Sequence, residues 1–182
     1  MFSEFADPGA LVFATVGTDH HPFDRLVLWL DEWLASRARD RRDCLVQIGT
    51  SLAPRLARSR RFLSYPEMES ALAQATAVVC HAGPGTVMMA LAAGKKPIVV
   101  PRDSALGEHV DDHQLVFARR VFEEGSIWLA NGREHLAELL DRAIACPDEF
   151  RCGERRLDGE TSVQRLAVLV DRLVAARELT HR

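Results

Sequence analysis

The chain has no long apolar run, no clustered cysteines, few lysines and no Asp-x-Asp pair, and each absence removes a class of protein. Spanning a bilayer takes about 20 consecutive apolar residues, and no such run is found. The opening Met1-Phe2-Ser3-Glu4-Phe5 lacks the basic and apolar regions of a secretion signal, so the cytosol is the expected address. Cys44, Cys80, Cys146 and Cys152 are too scattered for a zinc pattern and too few for a disulfide scaffold. Reduced, structural thiols are expected. The net charge of −3 lacks the basic excess of a nucleic-acid binder, so no nucleic-acid partner is expected. Without Asp-x-Asp there is no evident chelator for a metal set against a diphosphate, and neither metal nor cofactor is expected. Lys95 and Lys96 are the only lysines, so arginine supplies the rest of the 23 basic residues. Its clusters at 37–42 and 55–61 read as solvated faces, or as a patch turned toward anionic lipid or a partner subunit.

What is present is an ordinary globular composition, 47% hydrophobic, over a length that suits one domain spanning 1–182. Apolar, β-branched runs predict strands at Leu11 to Val16, Cys44 to Ile48, Ala77 to Cys80, Pro97 to Pro101 and Ile127 to Leu129. Arg61 to Tyr65 is a weaker sixth. Helical spacing predicts helices at Phe23 to Leu34, Pro66 to Ala75, Thr86 to Ala93, Asp111 to Glu124, Glu134 to Ala145 and Thr161 to Ala176. Strands that are apolar throughout and alternate with helices define an α/β fold. The expectation is a doubly wound, mostly parallel six-stranded sheet with helices on both faces, Rossmann-like in form. In such sheets ligands gather beyond the carboxyl ends of the strands.

The polar and glycine-bearing loops all fall on that edge. His81-Ala82-Gly83-Pro84-Gly85-Thr86 joins a strand to a helix, where glycines admit close approach and the helix start offers N–H groups to phosphate. It has neither the third glycine of a dinucleotide turn nor a Walker lysine, which demotes dehydrogenases and ATPases. Pro101 to Gln114 gathers Arg102, Glu108, His109, Asp112 and Gln114, groups suited to sugar hydroxyls. Asp111 and Asp112 equally suit a helix N-terminus. His20 and His21 are candidates for a general base.

Read in order, Val12 to Thr18, Pro22 to Leu26, Val46 to Gly49, Glu67-Met68, His81 to Thr86, Gly94 to Arg102 and Gly107 to Gln114 resemble small bacterial exopolysaccharide glycosyltransferase subunits. The same pattern is similar to the catalytic subunit of the eukaryotic dolichol-linked GlcNAc transferase. More distantly it is similar to the C-terminal domain of the bacterial peptidoglycan GlcNAc transferase, the family 28 C-terminal type. The resemblance runs from about Leu11 to Leu140.

It implies the C-terminal, donor-binding half of a GT-B glycosyltransferase divided between two polypeptides. A membrane-associated partner subunit would supply the acceptor half, with a nucleotide sugar and a lipid-linked sugar as substrates, at the inner face of the membrane. On this chain the resemblance assigns Gly17, Thr18, Gly83, Gly85 and Thr86 to the diphosphate. It places Tyr65 and Met68 by the nucleobase, and Glu108, Asp112 and Gln114 by the transferred sugar or ribose. His20, His21 and Glu108 stand as catalytic candidates, and His81, Pro84, Arg102 and His109 complete the donor-site set.

The chain departs from the pattern twice. Asp19-His20-His21 stands where the exopolysaccharide subunits usually read His-Glu-Gln, so the base is His20, His21 or a group of the partner. Met89 stands where the peptidoglycan enzyme holds the ribose with a glutamate. A methionine makes no such bond, which leaves UDP and dTDP both open. A nucleotide-sugar-binding module without catalysis is the alternative from another class. The stripe Val163, Leu166, Val170, Leu173 and Val174 is expected to pack on this domain or to dock the partner.

Overall fold

The computed structural model describes residues 12–37 and 43–152. The expected helix at Thr161 to Ala176 lies outside them, as does most of the first arginine cluster. The strands are β1 (Val12–Thr15), β2 (Cys44–Gln47), β3 (Arg58–Arg60), β4 (Ala77–Cys80), β5 (Ile98–Val99) and β6 (Trp128–Leu129). The helices are α1 (Asp24–Ser36), α2 (Tyr65–Gln74), α3 (Pro84–Ala92), α4 (His113–Glu123) and α5 (Arg133–Ala145). The sheet order is β3-β2-β1-β4-β5-β6, and every pairing is parallel. This is the doubly wound α/β arrangement expected, with the switch in strand order between β1 and β4.

Alternation along each strand divides the core. Val12 and Ala14 of β1, with Ala77, Val79 and Ile98, meet Leu26, Leu30 and Leu34 of α1 and Leu136 and Leu140 of α5. On the opposite face Phe13 and Val78 meet Leu72 of α2 and Ala90 of α3, while Val99 meets Phe117 and Val121 of α4. Both faces are therefore covered, which is why the strands carry no polar stripe. Cys44 and Cys80 are buried within this core, and burial raises both thiols to about 12. All four cysteines are free.

One strand differs from expectation. The third strand is Arg58–Arg60 rather than Arg61 to Tyr65, and Tyr65 opens α2. This edge strand pairs on one side only, so hydrophilic side chains suit it. Its approach is fixed from α1: the buried carboxylate of Asp31 accepts the backbone N–H groups of Arg55 at 2.5 Å, Leu56 at 3.1 Å and Ala57 at 3.1 Å.

Candidate functional site

The crevice opens at the carboxyl ends of β1 and β4. Gly17, with φ +86°, turns the chain out of β1, and its N–H is donated to Thr15 Oγ1 at 3.1 Å. The same hydroxyl accepts from Gln47 Nε2 at 3.0 Å, and Gln47 Oε1 accepts the Leu63 N–H at 3.0 Å. A row of side-chain hydrogen bonds thus ties the ends of β1 and β2 to the segment after β3. The loop after β2 then braces the loop after β1, since Ser51 Oγ accepts the Phe23 N–H at 2.7 Å.

After β4 the imidazole of His81 sits between two glycines. A Cβ added at Gly17 would lie 2.5 Å from its Nε2, and one at Gly83 would lie 2.1 Å from its Cε1. Gly83 donates its N–H to His81 Nδ1 at 3.0 Å, so the ring's proton is on Nε2, which faces Thr86 Oγ1 at 3.2 Å. Burial, with the nearby Arg102 charge, lowers the His81 pKa to about 4, and the ring is neutral at pH 7. The helix α3 begins at Pro84, two residues before the expected Thr86. Thr86 and Val87 return their N–H groups to Gly83 O, and Pro84 has none. Gly85 is exposed, with open space where a side chain would stand, so a ligand can reach its backbone.

The second wall is the polar loop after β5. The Arg102 side chain is fully buried and donates to three backbone carbonyls: Val16 at 2.7 Å, His21 at 2.7 Å and Glu108 at 2.8 Å. Its guanidinium also lies over the Phe23 ring, 5.0 Å from the centroid. Gln114, buried at the start of α4, accepts from the N–H groups of Ala82 at 3.1 Å and Arg102 at 3.4 Å. These two residues join the ends of β1, β4 and β5 around the crevice.

The remaining site candidates lie in different surroundings. Glu108 does not face an open sugar site. Its carboxylate takes the Arg25 guanidinium in a two-point pair at 2.7 and 2.8 Å and accepts the Asp103 N–H at 2.9 Å, and only 7% of the side chain is exposed. Its oxygens are engaged by α1 and by the backbone of its own loop. Met68 is a core residue, packed with Phe13, Leu72 and Val78. Arg102 is a brace whose two terminal nitrogens are taken up by carbonyls. Tyr65 is 64% exposed at the start of α2, and Thr18 is exposed beside Gly17. Asp112, the residue before α4, accepts from Ser104 Oγ.

His21 and His20 differ sharply. His21 Nδ1 lies 2.7 Å from Asp19 Oδ1, which also accepts the His21 N–H at 2.8 Å, whereas His20 projects with 81% of its side chain exposed. Burial opposes ionisation of Asp19. The hydrogen bonds from His21, with the Arg102 charge, nevertheless bring its pKa down to about 2. Asp19, Thr15, Gln47 and Arg25 also shape the site, though no motif marks them as site residues. Asp-x-His at positions 19–21 was the available signal for the first.

A parallel sheet in this order, with a glycine-lined crevice at its switch point, defines a Rossmann-like domain of the kind that forms half of a GT-B glycosyltransferase. The solved glycosyltransferase of kitacinnamycin superposes with a TM-score of 0.58 at 18% identity, covering 92% of this chain and 44% of that one. The calicheamicin glycosyltransferase CalG4 gives 0.54 at 17% identity, covering 91% and 43%. The chain belongs to glycosyltransferase family 28, as the model of that family's C-terminal domain matches residues 11–148.

Among curated relatives, the UDP-N-acetylglucosamine–N-acetylmuramyl-(pentapeptide) pyrophosphoryl-undecaprenol N-acetylglucosamine transferase of Paracidovorax citrulli is 33% identical over 111 residues. That match covers 61% of this chain and 30% of the relative. The enzyme of the same name from Myxococcus xanthus is 33% identical over 113 residues, covering 62% and 27%. The chain therefore spans less than a third of the length of these relatives. Among the described residues no helix is long and apolar enough to cross a membrane.

Proposed function

We propose that this domain is the donor-binding half of an inverting glycosyltransferase that moves a hexose from a nucleotide sugar to a lipid-linked sugar. The observation that carries this reading is the β1–β4 crevice, where Gly85 leaves its backbone open at the start of α3, beside the turns at Gly17 and Gly83 that pack against the His81 ring. A diphosphate lying there would be met by the Gly85 N–H and the positive end of the helix, rather than by a metal held by Asp-x-Asp. The Thr86 hydroxyl, which takes the Nε2–H of His81, is a neutral donor in the same place. Both named relatives use a UDP-sugar and an undecaprenol-linked acceptor, which favours UDP and a polyprenyl carrier here.

Single displacement needs a base for the acceptor hydroxyl. His21 fits the role better than His20. Asp19 holds its Nδ1–H and leaves the Nε2 lone pair free, the arrangement in which a carboxylate orients a basic imidazole. The acceptor half would come from a membrane-associated partner subunit, which would also hold this chain at the inner face of the membrane.

Calorimetric titration with UDP, dTDP and GDP, without metal, tests the reading. Saturable binding of one nucleotide, abolished by Gly85→Trp, is the expected result. Absence of binding to all three, with and without the partner, overturns it. Adding the partner, a nucleotide sugar and a lipid-linked acceptor separates a transferase from a module that only binds. A transferase turns over and loses turnover in His21→Ala.

A further inference from the structure

Beside the crevice, four histidines and two aspartates gather where the loop after β1 meets the residues that lead into α4. The rings of His109 and His113 meet edge to face with centroids 4.5 Å apart, and His21 lies 6.0 Å from His109. Asp111 Oδ1 is 3.5 Å from His109 Nδ1 and is hydrogen-bonded to His113 Nδ1. One donor atom from each of His109, Asp111 and His113 falls within 4.8 Å of the others.

We propose that His109, Asp111 and His113 bind a divalent transition-metal ion of the zinc class, with Asp19 orienting His109 from outside the ligand set. Two imidazoles and one carboxylate suit zinc, cobalt or nickel, whereas magnesium favours oxygen ligands. Ligand atoms about 2.1 Å from a tetrahedral ion lie about 3.4 Å apart. The 3.5 Å between His109 Nδ1 and Asp111 Oδ1 matches that spacing.

The tautomer of His109 also fits. Its Nδ1 accepts only a long bond, 3.4 Å, from the Asp111 N–H, so a lone pair on that atom faces the cluster. The proton sits on Nε2, which points toward Asp19 Oδ2 at 3.8 Å. A carboxylate behind the far nitrogen of a ligating histidine is the usual means of fixing such a ring. At His113 the ion takes the place of the proton now lying between Nδ1 and Asp111. Solvent completes the shell, and the ion fastens the loop before α4 through Asp19 to the loop after β1. The cluster of Asp19, His20 and His21 is a poorer host, because His20 projects into solvent.

The test uses the full chain without affinity tag, carrying Cys146→Ser and Cys152→Ser to remove the two accessible thiols. Zn²⁺ is titrated by calorimetry and Co²⁺ by visible absorption, without nucleotide, so the outcome does not depend on the donor-site reading. The expected result is saturation near one ion per chain, with the intense Co²⁺ bands of a tetrahedral site. His109→Ala and His113→Ala remove that saturation, Asp19→Asn weakens it by about 10- to 100-fold, and His20→Ala leaves it unchanged. Because His113 is exposed, its variant keeps the fold, which circular dichroism in chelator checks. No saturable binding, binding that survives loss of both histidines, or binding lost in His20→Ala would each overturn the proposal.

Discussion

The imidazole of His81 occupies the space that a side chain at Gly83 would need, since a Cβ there would stand 2.1 Å from its Cε1. Gly83→Ala must therefore move the ring, and overpacking of this kind costs roughly 1–3 kcal/mol. In a His81→Ala background the same substitution meets no ring and costs little. Urea denaturation of the two single variants and the double variant measures the coupling. Additive losses would show that the ring is not what excludes a side chain.

His81 also sets an acid limit. The unfolded chain takes up a proton at this residue near pH 6.5, the folded chain only near pH 4. Between those values the unfolded state binds more protons, so stability falls as pH is lowered and levels off below pH 4. The full effect is of the order of 3 kcal/mol at most. Chemical denaturation of wild type and His81→Gln from pH 7 to pH 4 should show a shallower decline in the variant. Equal slopes would place the acid sensitivity elsewhere.

Arg102 holds three carbonyls that belong to both walls of the crevice. Arg102→Met leaves those acceptors unmet and is expected to lower stability by about 3 kcal/mol or more. Lysine cannot restore it, because one ammonium on a flexible stem does not reproduce the fork. Thermal melts of Arg102→Met and Arg102→Lys check this, and recovery in the lysine variant would argue that charge alone matters.

The Arg25–Glu108 pair is an interaction between α1 and the loop after β5. Arg25→Ala and Glu108→Gln should each destabilise, and the double variant by less than their sum, with a coupling of about 1–3 kcal/mol. In a transferase assay with the partner, the pH dependence of Glu108→Gln should match wild type. Loss of the basic limb of that profile would return Glu108 to catalysis.

Asp31 fixes the approach to the edge strand by accepting three successive N–H groups, those of Arg55, Leu56 and Ala57. Asp31→Ala leaves them unsatisfied, a loss of about 2 kcal/mol or more. Hydrogen exchange should accelerate at Arg55 to Ala57 before it does in β1 or β4.

Where hydrophobicity decides, the sequence was readable. Five apolar strands and five helices lie close to where their periodicity puts them, because burial on both faces writes itself into runs such as Val12 to Val16. Arg58–Arg60 escaped because an edge strand needs no apolar side chain, and the segment leading into it, Arg55 to Ala57, is held by a carboxylate 24 to 26 positions earlier. The glycines of the crevice were legible for a local reason, the turn between strand and helix. The roles of Arg102, Glu108 and Met68 were not, since a polar loop residue that binds a ligand and one that binds a distant carbonyl look alike in sequence. Arg25 and Glu108 are 83 positions apart, and only folding brings them together.

Gln114 and Arg102 join the ends of β1, β4 and β5 by side chains as well as by the ladder. Between β1 and β5 no backbone ladder exists, because β4 stands between them, so Arg102 acts as a strut across a strand. The two lips of the crevice are thereby one stiff jaw. A movement of one lip against the other would have to break the buried Arg102 fork, so the crevice does not close by folding its own two lips together.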